Sequence, residues 1–218
     1  MRYDLYVITD TAVSGGRTHE EIARLAIEGG ADVVQLRDKA RSIRDLVCVG
    51  QRIRKLTRMA GTLFIVNDRL DVALACRADG VHLGQDDLAV ADARALAPPG
   101  FIIGASAGSA GEAVRAEHDG ADYIAASPVF TTPQKTDAGS CCGLEGLRRI
   151  RAEISIPLIA IGGIGMHNVH EVIHAGADGI AVISAVVESP DIARAARQLK
   201  QRILECKAEQ AGKFFLRR

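Results

Sequence analysis

The chain has 218 residues, enough for one large domain or two small ones, and 48% of them are hydrophobic, which is enough for a real core. Its 27 basic and 27 acidic residues give zero net charge, which argues against nucleic acid or a membrane surface as the partner, because such binding usually shows as a basic excess. The five cysteines follow no disulfide framework and form no C-x-x-C pair, so we expect neither a disulfide scaffold nor a structural zinc site. No apolar run reaches roughly 18 residues, so we expect no membrane span. Together these features favour a cytoplasmic protein.

Eight short apolar runs, rich in Val, Ile and Leu, recur along the chain and predict strands that are buried on both faces, as parallel sheets require. In chain order the predicted strands are Leu5–Ile8, Val33–Leu36, Leu63–Val66, Gly80–Leu83, Phe101–Gly104, Tyr123–Ala126, Leu158–Ile161 and Gly179–Ile183. Apolar residues at three- and four-residue spacing predict the intervening helices, which are Glu20–Glu28, Ile43–Met59, Val72–Cys76, Ala89–Leu96, Gly111–His118, Leu144–Arg151, Val169–His174 and Ile192–Cys206. The strict alternation of strand and helix predicts an α/β fold with a parallel sheet.

A short phrase containing Ala-Asp is repeated before the second, fourth, sixth and eighth strands, at residues 29–32, 77–80, 119–122 and 175–178. Glycine in this phrase suits the left-handed position after a helix, and the small alanine allows a tight turn into the strand. This two-strand rhythm favours a closed (β/α)8 TIM barrel over an open flavodoxin-like sheet. Because no Pro- or Ser-rich linker divides the chain, we expect a single domain over residues 1–211 and a flexible tail over 212–218.

Polar residues cluster where the second predicted strand ends, in the run Gln35-Leu36-Arg37-Asp38-Lys39. The alternation of side chains along a strand sends Gln35, Arg37 and Lys39 to one side. Cations inside a barrel mouth predict an anionic ligand. The alternative is a salt bridge with Asp38 at the rim.

Carboxylates follow the next two strands. Asp68 lies after the third strand and Asp87 after the fourth, so the two are expected to be neighbours, and such a pair beside a phosphate-rich ligand is typical of a Mg²⁺ site. Alternatively, Asp86 or Asp87 caps the following helix. His82 lies inside the fourth strand and is expected to be packed rather than catalytic.

The fifth strand ends near Ser106, which offers a hydroxyl to the mouth, and the sixth strand is followed by the longest loop, residues 127–139. This loop carries hydroxyls, an amide and a cation, and is a candidate lid. Thr132 and Lys135 are candidates to grip a second phosphate or a pyrophosphate. We expect no catalytic role for the adjacent Cys141 and Cys142.

The seventh strand ends in Gly162-Gly163, and the eighth runs into Ile183-Ser184 and a helix. In barrels a phosphate often lies after strands 7 and 8, where glycine lets backbone amides approach an anion. Helix N-terminal amides at Ile183 and Ser184 would complete this cradle. The alternative is that the two glycines only form a tight turn.

Taken in order, these segments resemble the thiamine phosphate synthase family. The matching phrases span nearly the whole chain and are Gln35–Lys39, Asn67–Arg69, Ala78–Asp87, Pro128–Phe130, Ile161–Ile164 and Gly176–Val182. The resemblance implies a TIM barrel and a Mg²⁺-dependent transferase. The nitrogen of 4-methyl-5-(2-hydroxyethyl)thiazole phosphate would attack the methylene of 4-amino-2-methyl-5-hydroxymethylpyrimidine pyrophosphate, giving thiamine phosphate and pyrophosphate.

Carried over by position, the resemblance also implies residue roles. The pyrimidine pyrophosphate would be held by Gln35, Arg37, Lys39, Asn67, Ser106, Thr132, Gln134 and Lys135, the thiazole phosphate by Gly163, Ile183 and Ser184, and Mg²⁺ by Asp68 and Asp87. Arg37, Lys39, Ser106 and Lys135 are the implied catalytic residues, because their donors stabilise the charge of a leaving pyrophosphate. The implied partners are the two small-molecule substrates, and a homo-oligomer is left open.

The chain departs from the family pattern at three places. Gly108 replaces a histidine, Gln134 a threonine and Ser127 a glycine. Two alternatives therefore stay open: a thiazole tautomerase-like isomerase, although that reaction uses the missing histidine, and a non-catalytic phosphate-ligand-binding barrel. The retained Arg37, Lys39, Asp68 and Asp87 favour the synthase.

Overall fold

The computed structural model describes residues 2–131 and 141–215, with side chains through residue 211. Its strands pair in sequence order, all parallel, and the eighth pairs with the first, which closes a barrel. The predicted (β/α)8 TIM barrel is therefore confirmed, and the flavodoxin-like alternative is wrong.

The strands are β1 (Leu5–Thr9), β2 (Val33–Leu36), β3 (Leu63–Asn67), β4 (Gly80–Leu83), β5 (Ile102–Ala107), β6 (Tyr123–Ala126), β7 (Leu158–Ile161) and β8 (Gly179–Val182). The helices are α1 (His19–Glu28), α2 (Ile43–Ala60), α3 (Leu70–Ala75), α4 (Val90–Leu96), α5 (Ala110–His118), α6 (Gly143–Glu153), α7 (Val169–His174), α8 (Ser184–Val187) and α9 (Ile192–Phe215).

Two elements extend well beyond their predicted ends. Strand β5 continues past Gly104 because Ser106 still pairs with Ala125 of β6, which carries the Ser106 hydroxyl toward the mouth. Helix α9 is 24 residues long and carries the chain past the predicted domain boundary at residue 211. In the described ranges, no helix combines the length and the hydropathy needed to cross a membrane.

The repeated Ala-Asp phrase forms the amino-terminal rim of the barrel. In each copy the aspartate accepts a hydrogen bond from one backbone amide at the start of the preceding strand. The same aspartate pairs with a Lys or Arg side chain from a surrounding helix. The four sets are Asp32 with Leu5 and Lys200, Asp79 with Phe64 and Arg54, Asp122 with Ile103 and Arg94, and Asp178 with Leu158 and Arg151. The phrase therefore fixes each strand pair to the outer layer of helices, at the end of the barrel opposite the carboxyl ends of the strands.

Gly104 of β5 makes room for the ring of Tyr123 inside the barrel. A Cβ placed on Gly104 would lie 2.0 Å from Cζ of Tyr123, on the neighbouring strand β6. Tyr123 is fully buried, and its ring crosses β5 toward His82 of β4. A glycine in this strand is therefore required by the close approach of an aromatic ring.

Gly104→Ala is expected to destabilise the fold by about 1–3 kcal/mol, because the added methyl group must displace the Tyr123 ring in a packed core. Gly111→Ala is the matched control, since Gly111 lies on exposed α5 and a Cβ there meets only Arg115 Nη1 at 3.5 Å. That control should raise stability by about 0.4–1 kcal/mol. Urea unfolding of the three proteins measures both effects, and equal stability of Gly104→Ala and the parent would contradict the packing argument.

Candidate active site at the barrel mouth

A small cavity of about 30 Å³ opens inside the carboxyl ends of the strands. Its polar lining comes from consecutive strands, with Gln35 and Arg37 from β2, Asn67 from the end of β3 and His82 from β4. The other lining residues are Tyr6, Ile8, Tyr123, Ala125, Ile159, Ile161, Ala181 and Ile183. Gln35 and Arg37 thus face one space, as the alternation predicts, and the cavity is mostly apolar with a few convergent polar groups, as small-molecule sites are.

A chain of hydrogen bonds crosses the floor of this cavity. Gln35 Nε2 donates to the Tyr6 hydroxyl at 2.7 Å, and the hydroxyls of Tyr6 and Tyr123 are 3.0 Å apart. The Tyr123 hydroxyl lies 3.0 Å from His82 Nδ1, and His82 Nε2 lies 2.9 Å from Ser106 Oγ. We call these five side chains the floor network; they join strands β1, β2, β4, β5 and β6.

The direction of the floor network follows the tautomer of His82. Burial raises the pKa of Tyr6 and Tyr123 well above the usual range, so both phenols keep their protons. With the His82 proton on Nε2, His82 donates to Ser106 and accepts from Tyr123, which leaves the Ser106 proton for a ligand. With the proton on Nδ1, His82 donates to Tyr123 and accepts from Ser106.

His82 is packed, as expected for a histidine inside a strand, but it also takes part in the site. Its ring stacks on Tyr123 with centroids 5.6 Å apart, and the residue is only 9% exposed. The contact with Ser106 and the place in the cavity wall were not predicted.

Arg37 is held by Asp10, which follows β1. Arg37 Nη1 lies 2.9 Å from Asp10 Oδ2, and both side chains are mostly buried. Asp38 points the other way and contacts His19 Nε2 at 3.1 Å and Arg41 Nε at 2.9 Å. Arg37 is therefore held by Asp10 and not by Asp38, while the alternative of a rim salt bridge between Asp38 and Lys39 stays a prediction.

Asp68 and Asp87 meet at the rim beside these cations. Burial raises the pKa of Asp68 to about 6; the charge of Asp87 and a hydrogen bond between the two side chains add to the rise, and the charges of Lys39 and Arg37 oppose it. Two carboxylates that repel each other in a partly buried place mark a position where a cation would be stabilised. The neighbouring strand ends thus bring together Asp68, Asp87, Lys39 and Arg37.

Local backbone geometry holds both carboxylates in place. Asp68 has a φ of 63°, which is unusual for a residue other than glycine, and its amide donates to the His82 carbonyl at 2.8 Å. Asp87 Oδ2 accepts from the Gly84 amide at 2.7 Å and so closes the turn after β4. Helix α4 begins only at Val90 without a side-chain cap, so the interpretation of Asp86 or Asp87 as its N-cap is wrong.

The predicted phosphate end lies across the mouth. Gly162 and Gly163 have φ values of 106° and 62°, and a Cβ on Gly163 would lie 2.8 Å from the Thr131 carbonyl oxygen. Ile183 lines the cavity and Ser184 begins α8, so its amide has no acceptor within that helix. The glycines accommodate the close approach of the loop after β6, and their role as a phosphate cradle stays a prediction.

Several predicted residues fall outside this geometry. Thr132, Gln134 and Lys135 lie outside the described residues. Gly108, where the family has histidine, donates its amide to Glu112 Oε2 at 2.7 Å. Cys141 and Cys142, like the other cysteines, are free thiols.

The sequence interpretation missed Tyr6, Tyr123 and Asp10. Tyr6 and Tyr123 lie within strands rather than at their carboxyl ends, so attention to strand ends overlooked them. Their place in strands predicted to be buried was the available signal, because a buried tyrosine hydroxyl needs a partner.

The sequence matches the family model described as Thiamine monophosphate synthase over residues 5–186. It is 62% identical over 98% of its length to a thiamine-phosphate synthase of Methanoregula boonei, covering 99% of that protein, and 60% identical over 96% to one of Methanoculleus marisnigri, covering 99%. The fold matches a thiamine phosphate pyrophosphorylase from Pyrococcus furiosus with a TM-score of 0.87 and 46% identity, covering 94% of this chain and 96% of that one.

Proposed function

The chain belongs to the thiamine monophosphate synthase family, and from this membership and the geometry of the mouth we propose that it condenses 4-amino-2-methyl-5-hydroxymethylpyrimidine pyrophosphate with 4-methyl-5-(2-hydroxyethyl)thiazole phosphate. The observation that carries the proposal is the meeting of a carboxylate pair, Asp68 and Asp87, with Arg37 and Lys39 at the carboxyl ends of β2, β3 and β4, next to the cavity that Arg37 lines. A tautomerase has no use for this second charged site, and Gly108 supplies no side chain for its proton transfer.

The floor network suits the aminopyrimidine. A pyrimidine with an exocyclic amine presents donors and acceptors along one edge, and the network offers the Gln35 amide and the Ser106 hydroxyl within an otherwise apolar space. The substrate ring would lie on apolar walls such as Ile8 and Ile161, with its pyrophosphate directed to Arg37. This fixes the reacting methylene between the two ends of the mouth.

The carboxylate pair suits Mg²⁺. Asp68 and Asp87 are neighbouring hard oxygen donors, and a bound cation would offset the repulsion between their charges. Bound there, Mg²⁺ would neutralise charge on the leaving pyrophosphate. Arg37 and Lys39 add donors to the same group from the β2 side, with Lys135 as the further candidate from the loop.

The chemistry needs no covalent enzyme nucleophile. The thiazole nitrogen supplies an electron pair to the pyrimidine methylene, the bond from that methylene to oxygen breaks, and the pyrophosphate takes the electrons. Arg37 and Lys39 would stabilise the leaving group directly, Asp68 and Asp87 would do so only by holding Mg²⁺, and the phosphate cradle at Gly163, Ile183 and Ser184 would orient the attacking nitrogen. The residues thus act by position and charge.

The direct test is to incubate the full chain with both substrates and to measure thiamine phosphate and pyrophosphate, with and without Mg²⁺. We expect both products in equal amounts, and little turnover in EDTA. Full turnover in EDTA would contradict the proposed Mg²⁺ dependence but not the proposed synthase activity. Absence of product with both substrates and Mg²⁺ would favour the non-catalytic phosphate-binding barrel.

Gly163→Ala is expected to raise KM for the thiazole phosphate about tenfold or more, with KM for the pyrimidine pyrophosphate nearly unchanged. A Cβ at a φ of 62° is strained and lies 2.8 Å from the Thr131 oxygen, so the backbone at the cradle must shift, at a cost of about 1–3 kcal/mol. Gly61→Ala is the control, because it has a similar φ of 69° but open space around it. Steady-state kinetics with each substrate varied checks the result; equal changes in both KM values would contradict the assignment.

A further inference from the structure

Two histidines and a glutamate come together on the outside of the barrel, away from the mouth. His170 and His174 lie four residues apart on α7, and Glu209 lies on α9, which packs against it. One ligand atom from each residue lies within 4.8 Å of the other two. His170 Nε2 is 3.5 Å from Glu209 Oε2, and the two imidazole rings have centroids 4.0 Å apart.

His174 shows why this cluster is more than a surface ion pair. Its Nδ1 lies 2.9 Å from the His170 carbonyl oxygen, which can only accept, so Nδ1 carries the proton and Nε2 carries a lone pair. This Nε2 is buried and has no hydrogen-bond partner among residues 2–131 and 141–211. A buried acceptor is rarely left without a donor in proteins, and a metal ion is one group that would satisfy it.

We propose that His170, His174 and Glu209 form a zinc site that joins α7 to α9. Two imidazole nitrogens and one carboxylate are a known three-residue set for Zn²⁺, with water in the fourth position. Mg²⁺ and Ca²⁺ prefer sets made of oxygen alone, which argues against them here. The bond from His174 Nδ1 to a backbone carbonyl is the outer contact that usually fixes the tautomer of a zinc-binding histidine.

The surroundings assign the site a structural role. The Gln210 side chain donates to the Ile173 carbonyl at 2.9 Å, so α7 and α9 are already joined beside the cluster. Lys207 of α9 pairs with Asp4, which precedes β1, so this part of α9 lies at the amino-terminal end of the barrel. A zinc ion here would fix the last helix without touching the substrates, independently of the proposed function.

The test measures Zn²⁺ binding to the full chain in the presence of excess Mg²⁺, so that Mg²⁺ and not Zn²⁺ occupies Asp68 and Asp87. Competition with a chromophoric chelator gives stoichiometry and affinity, and Co²⁺ as a probe reports imidazole ligands through its visible spectrum. We expect one Zn²⁺ per chain and a Zn²⁺-dependent rise in Tm. His170→Ala removes a ligand and should lower the affinity for Zn²⁺ by more than roughly 10–100-fold, which is the loss expected when only an outer contact of a ligand is removed. Glu209→Gln should lower the affinity less than His170→Ala does.

Both substitutions are at half-exposed or exposed positions, so the variants are expected to fold even if His174→Ala does not. His118→Ala is the matched control, since His118 is an exposed histidine paired only with the adjacent Asp119 in the described interactions. The synthase activity of all variants should equal that of the parent. Zinc binding that is unchanged by His170→Ala, or lost equally in His118→Ala, would overturn the proposal.

Discussion

Asp68→Asn is expected to lower kcat/KM by about 10³-fold at saturating Mg²⁺, because the Mg²⁺ proposed to stabilise the leaving pyrophosphate would lose one of its two carboxylates, an effect of several kcal/mol. Asparagine keeps the shape of the side chain and tolerates the φ of 63° at this position. Asp87→Asn should behave in the same way. Pyrophosphate release over a Mg²⁺ titration measures the effect, and the curve should move to higher Mg²⁺.

Asp86→Asn is the matched control, because Asp86 is an exposed neighbour of Asp87 on the same turn. It should keep parental kinetics. If it lost as much activity as Asp87→Asn, the loss would come from the turn after β4 rather than from a metal site. Parental turnover of Asp68→Asn in any Mg²⁺ concentration would contradict the assignment outright.

The same variant should be more stable than the parent when Mg²⁺ is removed. Burial and the charge of Asp87 raise the folded pKa of Asp68 to about 6 from 3.8, so the folded state binds more protons than the unfolded state between these values. Stability of the parent therefore falls as pH rises through this window. Unfolding in EDTA should show equal stabilities near pH 4 and an advantage for Asp68→Asn of about 1 kcal/mol or more above pH 6, reduced by solvent screening. A variant that is less active and more stable is a signature of a functional site.

The sequence predicted the barrel because its signals are local. Each strand is a short apolar run, and the aspartates of the repeated phrase mark the same rim four times. The ends of β2, β3 and β4 were also predicted to meet, since parallel strands end at one edge. That reasoning brought Arg37 beside Asp68.

The floor network could not be predicted in the same way. Tyr6 and Tyr123 are 117 residues apart, and their hydroxyls meet only because the register of a closed barrel sets them at one level. Gly104 makes room for the Tyr123 ring because it has no side chain, and a glycine within a strand does not by itself predict such a contact. The cap interpretation of Asp87 failed for a related reason, since the turn after β4 offered the Gly84 amide as a closer donor.

The proposed zinc site is another feature that could not be predicted from residue types and their spacing in the sequence. Cysteine spacing argued against a structural zinc site, and the zinc proposal uses no cysteine. The histidines of α7 need a third ligand from α9, and only the packing of the two helices brings Glu209 to them.

Arg37→Met is expected to lower kcat/KM for the pyrimidine pyrophosphate by about 10²–10³-fold, the range measured when one donor to a developing charge is removed. Methionine keeps much of the apolar stem, so the cavity wall at β2 is preserved. Arg37→Lys should recover part of this loss but not all, because an ammonium lacks the planar fork that can hold Asp10 and a phosphate together. KM for the thiazole phosphate should stay close to the parental value in both variants.

The partner of Arg37 allows activity to be separated from stability. In Arg37→Met the mostly buried Asp10 loses its ion pair, so part of any loss could come from a destabilised fold. The double variant Arg37→Met with Asp10→Asn removes the unpaired charge and should restore stability in urea without restoring turnover. Asp10→Asn alone should keep most activity, because Arg37 is then held less firmly but still faces the cavity. If the double variant regained parental activity, Arg37 would serve only to neutralise Asp10, and the anion site at the end of β2 would have to be assigned to Lys39.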